Sequence, residues 1–156
     1  MKEKKKPYSL RSDIEKIQSN WKKVRGLYRN EEWSTVIMRA VTTVELSANY
    51  LIRKELQEKR NLEEDFVDHL LIWANGIRGK FDKLIVPIFR STEFEKELKK
   101  LNKKVQEINK ERNSIAHSGQ FKRKSTATKV LDDSKDITEA LISIHEENFQ
   151  LKEVKY

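Results

Sequence analysis

Apolar residues recur along this chain at helical intervals. Ile14, Ile17, Trp21, Val24 and Tyr28 form one stripe, and Ser12 with Glu15 has capping-box spacing ahead of it. A wider stripe follows: Trp33, Ile37, Ala40, Val41, Val44, Ala48, Leu51 and Ile52. It predicts a second helix from near Asn30 to about Lys59. Glu45 falls within the series Val41, Glu45, Ala48, Ile52, so its carboxylate lies on or beside a buried face. Asn61 with Glu64 opens a third helix carrying Phe66, Leu70, Trp73 and Ile77, then Phe81 and Leu84. Gly76 and Gly79 weaken its middle and allow a kink or close packing, and Pro87 ends it. Thr92 with Glu95 caps a fourth helix whose seam is Phe94, Leu98, Leu101, Val105, Ile108 and Ile115. Residues 118–135, rich in Ser, Thr, Lys and Asp, read as a long loop. Asp136 with Glu139 then caps a last helix bearing Ile137, Leu141, Ile144 and Leu151.

No strand-like alternation persists, and no repeat is visible. The pattern predicts an all-α protein, a four- to five-helix up-and-down bundle. Residues 1–10 read as a flexible basic arm, and residues 11–156 as one helical domain. Trp21, Trp33 and Trp73 all sit on apolar stripes and are expected in the core.

The seam of the fourth helix contains one anomaly. Its steps are four, three, four and three, and then seven, because Arg112 occupies the position where an apolar residue is due. Asn113 and His117 follow, four residues apart and on one helical face. Histidine moves a proton near neutral pH, and the arginine fork fits a phosphate. That set suits RNA cleavage by its own 2′-hydroxyl, with no metal and no cofactor. A single cluster offers one histidine, so a full acid–base pair needs a second copy. The competing reading is a plain helix terminus: cations are favoured in the last turn, and Gly119 fits the position that ends a helix.

Charge sharpens the picture. The chain has 33 Lys and Arg against 25 Asp and Glu, a net charge of +8, which suits a polyanionic partner. Lys110, Ser118, Lys122, Arg123 and Lys124 surround the motif and are candidate RNA contacts. Lys99, Lys100, Lys103 and Lys104 flank the seam and are either a solvated face or a guide for RNA. There is no cysteine, which excludes disulfides, a thiol nucleophile and a cysteine-based zinc site. His69, His117 and His145 are far apart and have no metal-ligand spacing, so no metal site is expected. No apolar run is long enough to span a membrane, and the basic start lacks a signal-peptide core. These absences fit a cytoplasmic protein.

The spacing Arg112, Asn113, then His117, followed by Ser118 and Gly119, resembles the signature of the HEPN superfamily. The resemblance implies an all-α bundle and a metal-independent endoribonuclease. It further implies a homodimer with a composite active site, acting as a toxin or in antiphage defence beside an antitoxin or defence-system partner. Carried onto this chain, Arg112 contacts the phosphate, Asn113 assists and His117 transfers the proton. Family members often add an acidic residue from an earlier helix, for which Glu45 is the candidate. The subgroup paired with nucleotidyltransferase antitoxins has Tyr two residues after the His. Gly119 stands there, so that partnership is not implied. The alternative is a non-catalytic module that binds RNA or a protein through its basic face.

Overall fold

The computed structural model describes residues 6–152. Four long helices make the bundle: α1 (Asp13–Arg29), α2 (Trp33–Arg53), α6 (Glu95–Ser118) and α7 (Lys124–Ser143). Between α2 and α6 the chain forms α3 (Glu64–Trp73), α4 (Gly76–Lys80) and α5 (Val86–Ile88). No strand occurs among the described residues. No described helix is long and apolar enough to cross a membrane.

The expected cap opens α1: Ser12 Oγ accepts from Glu15 N, and Glu15 Oε2 accepts from Ser12 N. Ile17, Trp21, Val24 and Tyr28 then turn inward. The central helix, α2, packs on α1, α6 and α7. Its start lies slightly beyond the expected position because the chain turns through Glu31, at φ 59°. Its wide apolar face is buried from Val36 to Ile52, and burying each such side chain contributes about 1.5–3 kcal/mol.

Two contacts fix the alternating direction of the long helices. Lys122 N donates to Ser34 Oγ (3.1 Å), which joins the start of α2 to the loop between α6 and α7. At the other end, His145 Nε2 lies 2.8 Å from Glu55 Oε1, beyond the ends of α7 and α2. The C-terminus of α6 and the N-terminus of α2 thus share one end of the bundle.

Beyond Arg53, α2 continues as a π-helical segment, Lys54–Lys59. Within it the Glu55 side chain is 4% exposed and pairs with Arg60 (2.9 Å), Lys59 (3.3 Å) and His145 (2.8 Å). Burial pushes this carboxyl up, but the hydrogen bonds from Arg60, His145 and Lys59 outweigh it and hold it below the usual carboxylate range. A pKa lowered on folding contributes stability above the unfolded value, and that stability is lost as pH falls through the folded value. Glu55→Gln is therefore expected to destabilise the protein by about 2 kcal/mol at neutral pH. The gap between the two proteins should close as pH falls below about 4, read by urea unfolding across a pH series.

Three sequence expectations are corrected. Residues 118–135 are not a long loop: only Gly119–Arg123 separates α6 from α7, and α7 begins at Lys124 instead of Asp136. Its inward face is Ala127, Val130, Leu131, Ser134, Ile137, Thr138 and Leu141, with Ser134 and Thr138 wholly buried. Asp136 is mid-helix and pairs with Lys104 (2.7 Å). The second correction concerns α3, which buries Val67, Leu71 and Ala74 while Phe66 and Trp73 face outward. The helix stops at Ala74, and Gly76, at φ +68°, redirects the chain before Ile77 continues the stripe. Gly79 is a close approach: a Cβ there would meet the Ala74 carbonyl carbon at 3.1 Å. The third concerns the caps of α3 and α6: Glu63 precedes α3 with no side-chain cap hydrogen bond, and Asn61 lies outside the helix at φ 53°. Thr92 Oγ1 donates to the Phe89 carbonyl (2.6 Å), and Glu95 Oε2 takes the Ser91 N–H instead.

Of the expected N-terminal arm, residues 1–5 lie outside the described residues. Tyr8–Leu10 forms a short 3-10 turn, and the Tyr8 hydroxyl accepts from Asn20 Nδ2 (3.1 Å).

Candidate functional site at the end of α6

The motif occupies the last two turns of α6. The helix ends as its glycine dictates: Gly119 is left-handed (φ 60°), its N–H returns to the Ile115 carbonyl (3.1 Å), and Gln120 N reaches Ser114 O (3.4 Å). The inward face is Leu98, Leu101, Val105 and Ile108, all buried. Arg112 continues that line, one turn beyond Ile108, and is half-buried. Its Nη1 donates to Asn113 Oδ1 (3.2 Å). His117 is exposed, and its ring has no hydrogen-bond partner among the described residues. Ser118 beside it is exposed too.

The structure therefore joins Arg112 to Asn113 but makes no hydrogen bond from either to His117. Their positions explain this. Five residues on an ideal helix rotate about 140°, so Arg112 follows the core seam while His117 follows the opposite ridge.

That ridge carries a feature of its own. Lys96, Lys100, Lys103, Lys110 and His117 fall within about 100° of each other around the axis of α6, opposite its buried seam. The four lysines are exposed and make no ion pair among the described residues. The neighbouring Lys99 and Lys104 do: they are held by Glu95 (3.0 Å) and Asp136 (2.7 Å). The free cations thus run roughly 30 Å along the helix and end at the imidazole.

The remaining candidates separate. Glu45 has another partner: its Oε1 accepts from Lys80 Nζ (3.2 Å), and no hydrogen bond or ion pair links it to Arg112 or His117 among the described residues. Lys122 is neutralised by Glu111 (2.8 Å) and only 13% exposed. Arg123 is exposed at the start of α7 with no partner among the described residues. The Lys124 ammonium lies 5.8 Å over the Tyr28 ring. His69 is exposed, and His145 belongs to the Glu55 cluster at the far end. No group of metal-ligating side chains occurs among the described residues.

Comparison with family models, with curated proteins and with solved structures finds no match.

Two features escaped the sequence reading. Phe121, two residues past Gly119, is 97% exposed beside the motif. A shallow depression of about 890 Å³ lies over the start of α7, lined by Tyr28, Arg123, Lys124, Ser125, Thr128 and Asp132 among others, and includes neither Arg112 nor His117. Reading residues 118–135 as a loop hid it.

Proposed function

We propose that the chain is a metal-independent endoribonuclease of HEPN type that works as a homodimer. One observation carries the reading: an exposed His117 terminates a ridge of lysines, neither it nor they having a partner among the described residues, on a protein of net charge +8. RNA lies along the ridge with its phosphates on Lys96, Lys100, Lys103 and Lys110, which brings a phosphodiester to His117. His117 of one copy takes the 2′-hydroxyl proton. The 2′-oxygen attacks phosphorus, the 5′-oxygen leaves, and the second copy's His117 returns a proton to it. Arg112 turns from Asn113 to the charged phosphorus centre, where a guanidinium fork is most effective. Arg123 and Lys124 extend the contact beyond the helix end. The setting implied by the family resemblance is a toxin or antiphage-defence role.

A ridge that guides substrate acts on binding, not on the chemical step. Lys103→Gln with Lys110→Gln is expected to raise KM about tenfold with kcat within about twofold, and to flatten the salt dependence of RNA binding. Steady-state cleavage at several salt concentrations reads both.

The Arg112–Asn113 hydrogen bond supports a second reading, in which the basic face binds RNA or a protein without turnover. Salt-sensitive binding with intact RNA separates that reading from the first.

A further inference from the structure

Helix α3 presents an apolar seam to solvent. Phe66, Leu70 and Trp73 repeat with steps of four and three, the spacing by which one helix packs on another. Yet Phe66 is 52% and Trp73 58% exposed, and Leu70 is half-buried; Ile72, about 100° further around the helix from Trp73, is 74% exposed. Phe66 and Trp73, two of the large apolar side chains that the described residues expose, thus share one face of a ten-residue helix with Leu70, which is how a contact surface differs from scattered surface apolars.

The charges around this seam are sorted. Through residues 53–83, most carboxylates have a cation: Asp68 takes Arg53 (2.6 Å), Glu58 takes Lys54 (2.9 Å), Asp82 faces Arg78 (3.5 Å), and Glu55 holds Lys59 and Arg60. Glu63, Glu64 and Asp65, at the start of α3, have none among the described residues. At the other end, Lys83 has no carboxylate partner among the described residues; its ammonium lies over the Trp73 ring at 4.5 Å. Unpaired acids at one end and an unpaired base at the other, about 15 Å apart along the helix, make the patch complementary to itself under a two-fold axis.

We infer that α3 is the contact helix of a two-fold homodimer. The Phe66–Leu70–Trp73 seams of two copies pack antiparallel, and Lys83 of each meets the Glu63–Asp65 cluster of the other. A second copy is the occupant because both signs of charge are matched at once. A wholly basic or wholly acidic partner would leave one end unanswered. This contact is independent of the nuclease reading. Asp68 ties α3 to Arg53 at the end of α2, whereas Lys122 ties the loop after α6 to Ser34 at its start, so the contact lies away from His117. A chain using both contacts assembles beyond a dimer.

Charge reversal tests it on the full chain without touching the core. By sedimentation equilibrium, Lys83→Glu and the double variant Glu64→Lys with Asp65→Lys should each weaken self-association about tenfold or more. Mixed in equal amounts, the two should associate to within about threefold of the wild type, because both ion-pair sites of a mixed dimer regain opposite charges. Trp73→Ala should weaken association as well. The chain has no cysteine, so the contact is mapped by single cysteines and a short bismaleimide. His69→Cys should yield a covalent dimer. A wild type that stays monomeric, variants that associate unchanged, or a mixture that fails to recover overturns the inference. Cross-linking through Ser118→Cys alone overturns it too, and leaves the composite nuclease site standing. Cross-linking through His69→Cys alone does the reverse.

Discussion

His117→Ala is expected to lower RNA cleavage by about a thousandfold or more while stability changes by less than about 0.5 kcal/mol. The side chain is exposed and makes no hydrogen bond among the described residues, so its loss removes little from the fold. Its loss from the chemistry is large because an imidazole is the side-chain type suited to general acid and base work, and no other histidine stands at the end of α6 among the described residues. In a composite site one substitution removes both the acid and the base. Arg112→Leu separates the contributions further. The seam on which Arg112 lies is otherwise Leu98, Leu101, Val105 and Ile108, so leucine suits the fold. Equal or higher stability with cleavage lost is the expected pair of results, the exchange of stability for function common at active sites. Both variants are read by a cleavage assay beside urea unfolding.

Glu45→Ala is expected to cost about 2 kcal/mol of stability. The Lys80 side chain is 5% exposed, and its ammonium has two acceptors: Glu45 Oε1 at 3.2 Å and the Ala74 carbonyl at 3.4 Å. Removing the carboxylate leaves a buried cation with one neutral acceptor. The cost stays below that of a fully enclosed pair because Glu45 is 38% exposed and water can reach the gap. Adding Lys80→Met should restore most of the loss, since it removes the charge that lacks a partner. The double variant also tests the role of Glu45. If the carboxylate only holds Lys80, the restored protein cleaves RNA normally; if it serves the site, cleavage stays low in a stable protein.

The bundle was legible where side chains were unambiguous. Ser12 with Glu15, the stripe of α1, the broad face of α2 and the glycine that ends α6 all lie as their spacing predicts. The start of α7 was not legible, because Ser134 and Thr138 hold buried positions that periodicity assigns to apolar residues. On α3 two stripes compete, Phe66–Leu70–Trp73 and Val67–Leu71–Ala74, rotated by about 100°. The larger side chains made the outer stripe look like the core. The stripe of α2 puts Glu45 beside a buried face, where it lies, but its partner Lys80 is 35 residues away and no local pattern announces it. The lysine ridge of α6 lay in plain view. Which of its cations are free depends on carboxylates of α7 and on the first turn of α6, which only the fold supplies.

The most direct test of the nuclease reading is the chemistry of the cut ends. Purified wild-type protein is incubated with RNA at neutral pH, with and without excess EDTA, and the new 3′ ends are analysed. Cyclic phosphate ends, formed at the same rate with the chelator present, are the predicted result. Uncut RNA, cleavage that stops in EDTA, or 3′-hydroxyl ends would contradict a reaction driven by the 2′-hydroxyl and His117.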